Sequence, residues 1–173
     1  MISVAGRLRQ TFQFLFAWLF PLNNEPARSY LTAAEYALFL HMSRPERQHH
    51  LRVLAFLLDQ GHRHPSLLKA ALLHDAGKLR YRFSLPDRVL VVLVKALLPG
   101  KFRAWSEAEP LGWRRSFVIS AKHPIWGAEM CEAIQTDSLA VDLIRSHQTH
   151  LDGEPASERD RLLALLQQAD DRS

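Results

Sequence analysis

Cysteine is almost absent from this chain: Cys131 stands alone among 173 residues. No internal disulfide can form, and nothing demands an oxidising compartment. Long apolar runs are missing too, since a membrane-crossing helix takes roughly 20 such residues. The segment "FLFAWLF" (14–20) follows Arg7 and Arg9, but no small-residue cleavage site comes after it. It reads as an N-terminal helix that docks on the domain or lies on a membrane surface. Repeats and low-complexity linkers are absent. Acidic residues are scarce between Lys78 and Lys122, where ten Lys/Arg face three acids in a chain whose total formal charge is only +4. These absences lead us to expect a cytoplasmic protein, with any membrane contact confined to surface segments at 14–20 and 89–98.

What is present is helix. Hydrophobic residues make up 47% and charged residues 23%, enough for one domain with a real core. "TAAE" (32–35), "SRPE" (43–46) and "SERD" (157–160) read as capping boxes that start helices. The pattern predicts helices over 45–60, 66–80, 86–98, 116–121, 124–135, 138–149 and 157–170. "GHRHP" (61–65) reads as a turn, Pro99-Gly100 as a helix stop, and 101–115 as a Trp- and Pro-containing loop. The expectation is an all-α single domain, with an apolar N-terminal segment at 1–30 and a basic insertion at about 83–116.

Polar residues fall on the apolar faces of these helices. In "AALLHDAGKLR" (70–80), His74 follows Ala70 and Ala71 by four and three. His49 shares a face with Val53 and Phe56. His147 follows Leu143 and Ile144, Asp170 follows Leu163 and Leu166, and His123 precedes Pro124 at a predicted helix start. One inward histidine is most often a satisfied core residue. Several converging from different helices would each need a buried partner. A divalent metal centre satisfies them together. His74 and Asp75 point about 100° apart on a helix, so they can serve two neighbouring ions. Lys78 lies on the same side, ready to meet an anion.

The motifs "HHLRV" (49–53), "LLHDAGK" (72–78), "HPIWGAEM" (123–130), "IRSHQTH" (144–150) and "QQADD" (167–171) resemble those of the HD-domain metal-dependent phosphohydrolases. The order His, His-Asp, His, His, Asp is similar to the longer, two-metal form of that signature. The resemblance implies a helical bundle with the metal site in its core. It implies His49, His74, Asp75, His123, His147 and Asp170 as ligands of two divalent ions (Fe, Mn, Mg, Co, Ni or Zn), with Asp75 as the bridge. His49 is taken over His50 on the family's spacing, and Asp170 over Asp171 on its helical phase and the family's "AD". His150 is a candidate substitute for His147. The chain also resembles the symmetrical diadenosine tetraphosphate hydrolases, although its basic segment departs from those compact domains. "SHQTHLDGEP" is more distantly similar to the HD-GYP cyclic dinucleotide phosphodiesterases. There Gln148, Thr149 and the missing Gly-Tyr-Pro argue against that substrate.

The resemblance implies hydrolysis of a phosphoester or phosphoanhydride of a phosphorylated small molecule, a nucleotide above all. Two ions about 3.5–4 Å apart would activate water, with Asp75 and Lys78 at the reaction centre and Lys78 stabilising charge on the phosphate. Arg52 is a second candidate phosphate contact or else a structural ion pair. Arg114, Arg115 and Lys122 are candidate substrate contacts in a lid; the same segment could instead meet a membrane or form a solvated face. A non-catalytic nucleotide-sensing or regulatory module is the alternative. Sequence-specific nucleic-acid binding is not expected, since no base-reading motif occurs.

Overall fold

The computed structural model describes residues 21–151 and 153–173, so the 14–20 segment lies outside the described residues. Among the described residues every regular element is helical and no strand forms. In chain order these are α1 (Glu25–Arg28), α2 (Ala33–His41), α3 (Arg44–Asp59), α4 (Pro65–Leu73), α5 (Leu85–Leu97), α6 (Pro99–Ser106), α7 (Arg115–Ala133), α8 (Ser138–Ser146) and α9 (Glu158–Arg172). Two 3-10 segments, Ala76–Arg80 and Gly112–Arg114, join α4 to α5 and α6 to α7.

Side-chain caps start several of these helices. Thr32 with Glu35, Ser43 with Glu46, Ser84 with Asp87, and Ser157 with Asp160 form reciprocal capping boxes. Each satisfies backbone N–H groups that a helix start leaves unpaired. The central core is built from Leu54 and Leu57 of α3, Leu67, Leu68 and Leu72 of α4, Leu143 and Ile144 of α8, and Leu163 and Leu166 of α9. Ala27 and Phe39 join the same core, so residues 25–41 pack as part of the domain.

Four expectations need correction. The helix predicted over 66–80 ends at Leu73. The apolar pattern runs on to Leu79, but a close backbone approach at Gly77, described below, breaks the helix. The predicted loop at 101–115 contains α6. The preceding helix does stop before Pro99, at Leu97, but Pro99 also occupies the first turn of the next helix, where its missing N–H costs nothing. The helices predicted at 116–121 and 124–135 are one helix, α7, with Pro124 inside it. Burial of Phe117, Val118 and Ile119 before the proline, and of Ala128 and Cys131 after it, outweighs the cost of about 3 kcal/mol that a proline inside a helix carries. Finally, α8 ends at Ser146 rather than 149, leaving His147 as its C-cap.

The basic insertion folds as a hairpin of α5 and α6 on α7, with its own small core. Val91, Val94 and Phe117 are buried there, with Phe83, Phe102 and Trp105 packed around them. Trp105 meets Trp113 and Phe117 at ring-centroid distances of 4.8 and 5.2 Å. Leu90, Leu93 and Leu97 on the outer side of α5 remain exposed. Among the described residues no helix is long and apolar enough to cross a membrane.

A buried ion pair ties the bundle together away from these features. Glu35 is only 1% exposed, and its Oε1 lies 3.0 Å from Lys69 Nζ, which also stands 3.5 Å from Asp137 Oδ2. This links α2, α4 and the start of α8. Glu35→Ala removes both the cap partner and the buried anion, and we expect a loss of about 2–3 kcal/mol, read as a lower thermal midpoint. Asp142→Ala breaks a partly exposed pair with Arg159 near the surface and should cost under about 1 kcal/mol. Equal shifts for the two variants would contradict the buried tie.

Candidate metal centre

Asp75 sits just past the end of α4, with its side chain 9% exposed, and each of its carboxylate oxygens faces a different group of histidines. On one side, Oδ2 is 3.9 Å from His50 Nε2 and 3.9 Å from His74 Nε2, and it accepts a hydrogen bond from Lys78 Nζ. On the other side, Oδ1 is 3.1 Å from His123 Nε2 and 3.9 Å from His147 Nε2. Asp170 joins the first group: its Oδ1 lies 2.9 Å from His49 Nε2 and 3.7 Å from His74 Nε2. The structure therefore brings together all six expected ligands, from α3, the end of α4, the middle of α7, the end of α8 and α9. Candidate ligand atoms cluster within 4.8 Å in two sets, His49, His50, His74 and Asp75, and Asp75, His123 and His147.

Two glycines make this geometry possible. A Cβ on Gly77 would lie 2.0 Å from the His123 carbonyl oxygen and 2.5 Å from the Gly127 nitrogen. A Cβ on Gly127 would lie 3.1 Å from the Gly77 nitrogen. The "HDAGK" and "HPIWG" motifs thus meet backbone to backbone. Without that approach, Asp75 could not reach His123.

Local hydrogen bonds aim the rings. Nδ1 of His74 is 3.2 Å from the Ala71 carbonyl, Nδ1 of His123 is 3.0 Å from the Ile119 carbonyl, and Nδ1 of His147 is 2.7 Å from the Ile144 carbonyl. Each Nδ1–H donates to its own helix, so in the neutral ring the Nε2 lone pair points into the centre. Nε2 of His123 and Nε2 of His147 then confront each other at 3.2 Å. Two lone pairs at that distance need a cation between them. On the other side, His74 Nε2 and both ring nitrogens of His50 are buried without a hydrogen-bond partner. Orphaned nitrogens beside two carboxylates are the donor set of a divalent transition-metal site, so the residues fit the metal that the sequence implies.

The electrostatics agree. Burial pushes the His147 and His123 pKa values down, His147 well below its usual value. Burial takes His50 to about 4 and also lowers His49, with Asp170 partly offsetting it. Burial opposes the charged form of His74 as well, but the facing Asp75 and Asp170 outweigh it and raise its pKa. Asp75 and Asp170 pay the same desolvation, yet Lys78 and His74 for Asp75, and His49 and His74 for Asp170, hold both well below the carboxylate range. At neutral pH the centre presents ionised carboxylates and mostly neutral imidazoles, the forms that ligate metals.

His50 is the residue that the sequence reading passed over. It is fully buried, with its ring centroid 4.6 Å from that of His74. The signal was present, because His50, Val53, Leu54 and Leu57 make a tighter inward stripe than His49, Val53 and Phe56. His49 and His50 both reach the centre, so the choice between them was unnecessary.

Of the candidate substrate cations, Lys78 sits at the centre against Asp75, and the other four fall elsewhere. Arg52 donates from Nε to the Ser173 carbonyl at 3.3 Å, joining α3 to the end of α9. Arg114 lies over the Trp113 ring, and Arg115 is 4.0 Å from Asp87 Oδ2. Lys122 is half-buried on α7. A cavity of about 540 Å³ opens at His147, and Lys95 and Arg103, not these residues, line it. His150 and Asp171 line the same cavity and stand outside the two ligand sets. The insertion is anchored beside the centre by Arg88, whose guanidinium pairs at 2.5 Å with Glu46.

Residues 47–173 match the sequence profile of the HD domain. The chain belongs to the HD-domain superfamily of metal-dependent phosphohydrolases. No curated protein and no solved structure matches it.

Gly77→Ala should lower the thermal midpoint by several degrees and strip metal from the purified protein, as its methyl meets backbone rather than a flexible side chain. Gly100→Ala, where a Cβ meets nothing within 4 Å, serves as control and should leave both unchanged or gain slightly in stability. A Gly77→Ala protein with normal stability and metal content would contradict the backbone contact.

Proposed function

We propose that this chain is a hydrolase of phosphate esters or anhydrides, acting on a phosphorylated small molecule of the nucleotide class through a binuclear divalent metal centre. The observation that supports it most is the disposition of Asp75, one buried carboxylate with an oxygen for each of two histidine groups. His49, His50, His74 and Asp170 would complete one ion's shell with Asp75, and His123 and His147 the other's. Bound ions of this kind supply a water nucleophile at neutral pH and positive charge for the phosphate oxygens.

The chain's own residues do the rest. Nδ1–H bonds to backbone carbonyls hold three rings in the ligating tautomer and spare their reorganisation on binding. Asp75 is 8% exposed, so bulk water has little access to the shared carboxylate. Lys78 carries a cation at the Oδ2 edge of Asp75, where it can offset charge on an arriving phosphate. The cavity at His147 gives the rest of the substrate a place beside the centre.

Asp75→Asn keeps the shape of the side chain and removes the charge that both histidine groups share. We expect it to hold less than one equivalent of metal, against about two for the wild type after reconstitution with Mn or Fe, and to lose at least ~100-fold in hydrolysis of phenyl phosphate or a nucleotide panel. Metal content by elemental analysis and turnover on the same preparations check this. Unchanged metal content and turnover in the variant would overturn the proposal.

A further inference from the structure

Helix α5 is apolar on two separate faces, and among the described residues only one of them is packed. Val91 and Val94 on the inner face are buried with Phe117 in the small core of the hairpin. At 100° per residue, Pro86, Val89, Leu90, Leu93 and Leu97 fall in a second arc about 100° wide. This arc faces outward: all five residues are exposed, Leu93 at 50% and Leu97 at 74%. The three charged residues of α5 lie outside the arc and are engaged elsewhere. Asp87 accepts hydrogen bonds from Ser84 and Ser116, Arg88 pairs with Glu46, and Lys95 Nζ stands 5.1 Å from the Phe102 ring centroid. No polar side chain of α5 therefore interrupts the outer stripe. A helix face that meets only water is polar, so an unbroken apolar stripe of this length calls for a cover.

The rest of the hairpin fixes the chemistry of that cover. Leu98, at the turn into α6, is exposed. Trp113 is 58% exposed, yet its ring centroid lies 4.8 Å from that of Trp105, at the rim of the same small core. Exposed cations accompany these apolar groups: Arg82 ahead of α5, Lys101 on α6 and Arg114 before α7. The Arg114 guanidinium lies 5.1 Å from the Trp113 ring centroid, and Lys101 Nζ lies 6.0 Å from that of Trp105. Cations beside aromatic rings suit the headgroup level of a bilayer. A two-fold pairing with a second copy through this face would bring together two segments that each carry ten Lys/Arg against three acids, and like charges repel. An anionic bilayer instead offers hydrocarbon to the leucines and negative headgroups to the cations. At 13 residues α5 is too short to span a membrane, which takes roughly 20. It fits along the surface.

We propose that the outer face of α5 docks this chain on an anionic lipid surface. Leu90, Leu93 and Leu97 enter the boundary between headgroups and acyl chains, and exposed cations of the hairpin, Lys101 and Arg114 among them, meet the headgroups. Docking of this kind needs neither a bound metal nor turnover, so it stands or falls apart from the hydrolase reading.

Cosedimentation of the full chain with lipid vesicles tests it. The probes are phosphatidylcholine vesicles with about 30% phosphatidylglycerol, beside pure phosphatidylcholine. The wild type should bind the anionic vesicles at least about tenfold more strongly than the neutral ones, and lose that binding as salt rises. The variant Leu90→Gln/Leu93→Gln/Leu97→Gln changes only exposed positions. It should keep the thermal midpoint and lose at least about tenfold in affinity for the anionic vesicles. Lys101→Gln/Arg114→Gln should lose at least about fivefold, with a shallower salt dependence. This second variant reads the same docking should the leucine variant lose stability. Leu40→Gln, exposed on α2 outside the hairpin, should bind as the wild type does. No binding to the anionic vesicles, or equal binding to both kinds, overturns the proposal. Binding that both hairpin variants keep assigns the membrane contact to another segment, such as 14–20, and overturns it too. A wild-type dimer by light scattering that the leucine variant makes monomeric would show a second copy on the stripe, again overturning it.

Discussion

A buried carboxylate is the constraint around which this bundle is arranged. Asp75 is 8% exposed, and an ionised carboxylate taken from water costs several kcal/mol unless charges and donors surround it. Here Lys78 and His74 supply charge, and ring nitrogens of His50, His123 and His147 face the carboxylate, the last two as lone pairs that a cation reconciles with it. These groups come from four parts of the chain. The bundle must therefore close around one point, and the loops between α3, α4, α7 and α8 follow from that demand. Repulsion between His123 Nε2 and His147 Nε2, with their Nδ1 protons committed to carbonyls, gives the same point a need for positive charge. A divalent ion meets both demands.

Packing delivers what electrostatics requires. Gly77 and Gly127 let a 3-10 turn press against the backbone of α7, and the consequence is felt one turn away, where Asp75 meets His123. The α5–α6 hairpin attaches to this frame through its own small core and through Arg88 on Glu46. It thus stands beside the centre without contributing a ligand to it. The bundle thus carries the histidines and aspartates of the centre, and the attached hairpin walls the neighbouring cavity.

Much of this was legible in the sequence, for identifiable reasons. Helical periodicity and capping boxes are local signals, and they gave the all-α class and most helix starts. The inward phase of His49, His74, His147 and Asp170 is also local, as is His123 at an expected helix entry, and the resemblance to a known signature added Asp75 as a bridge. What escaped depends on contacts distant in sequence. The end of α4 at Leu73 is dictated by the backbone of α7, while the apolar pattern continues to Leu79. Pro124 reads as a helix start until burial on both sides holds α7 continuous. Pro99 reads as a stop, which it is for α5, but the helix that starts at Pro99 shows only when its packing is known. Lys95 and Arg103 look like two of ten cations in a basic run, and only the turn at Leu98 brings them to one cavity. His50 was the exception, since its stripe with Val53, Leu54 and Leu57 was visible beforehand.

The central claim is that Asp75 joins two metal positions. Anomalous X-ray diffraction from crystals of the protein reconstituted with Mn or Fe tests it most directly. The account predicts two peaks that share Asp75, one bounded by His49, His50, His74 and Asp170 and the other by His123 and His147. A single peak that leaves one histidine group empty, or no peak among these residues, would contradict it.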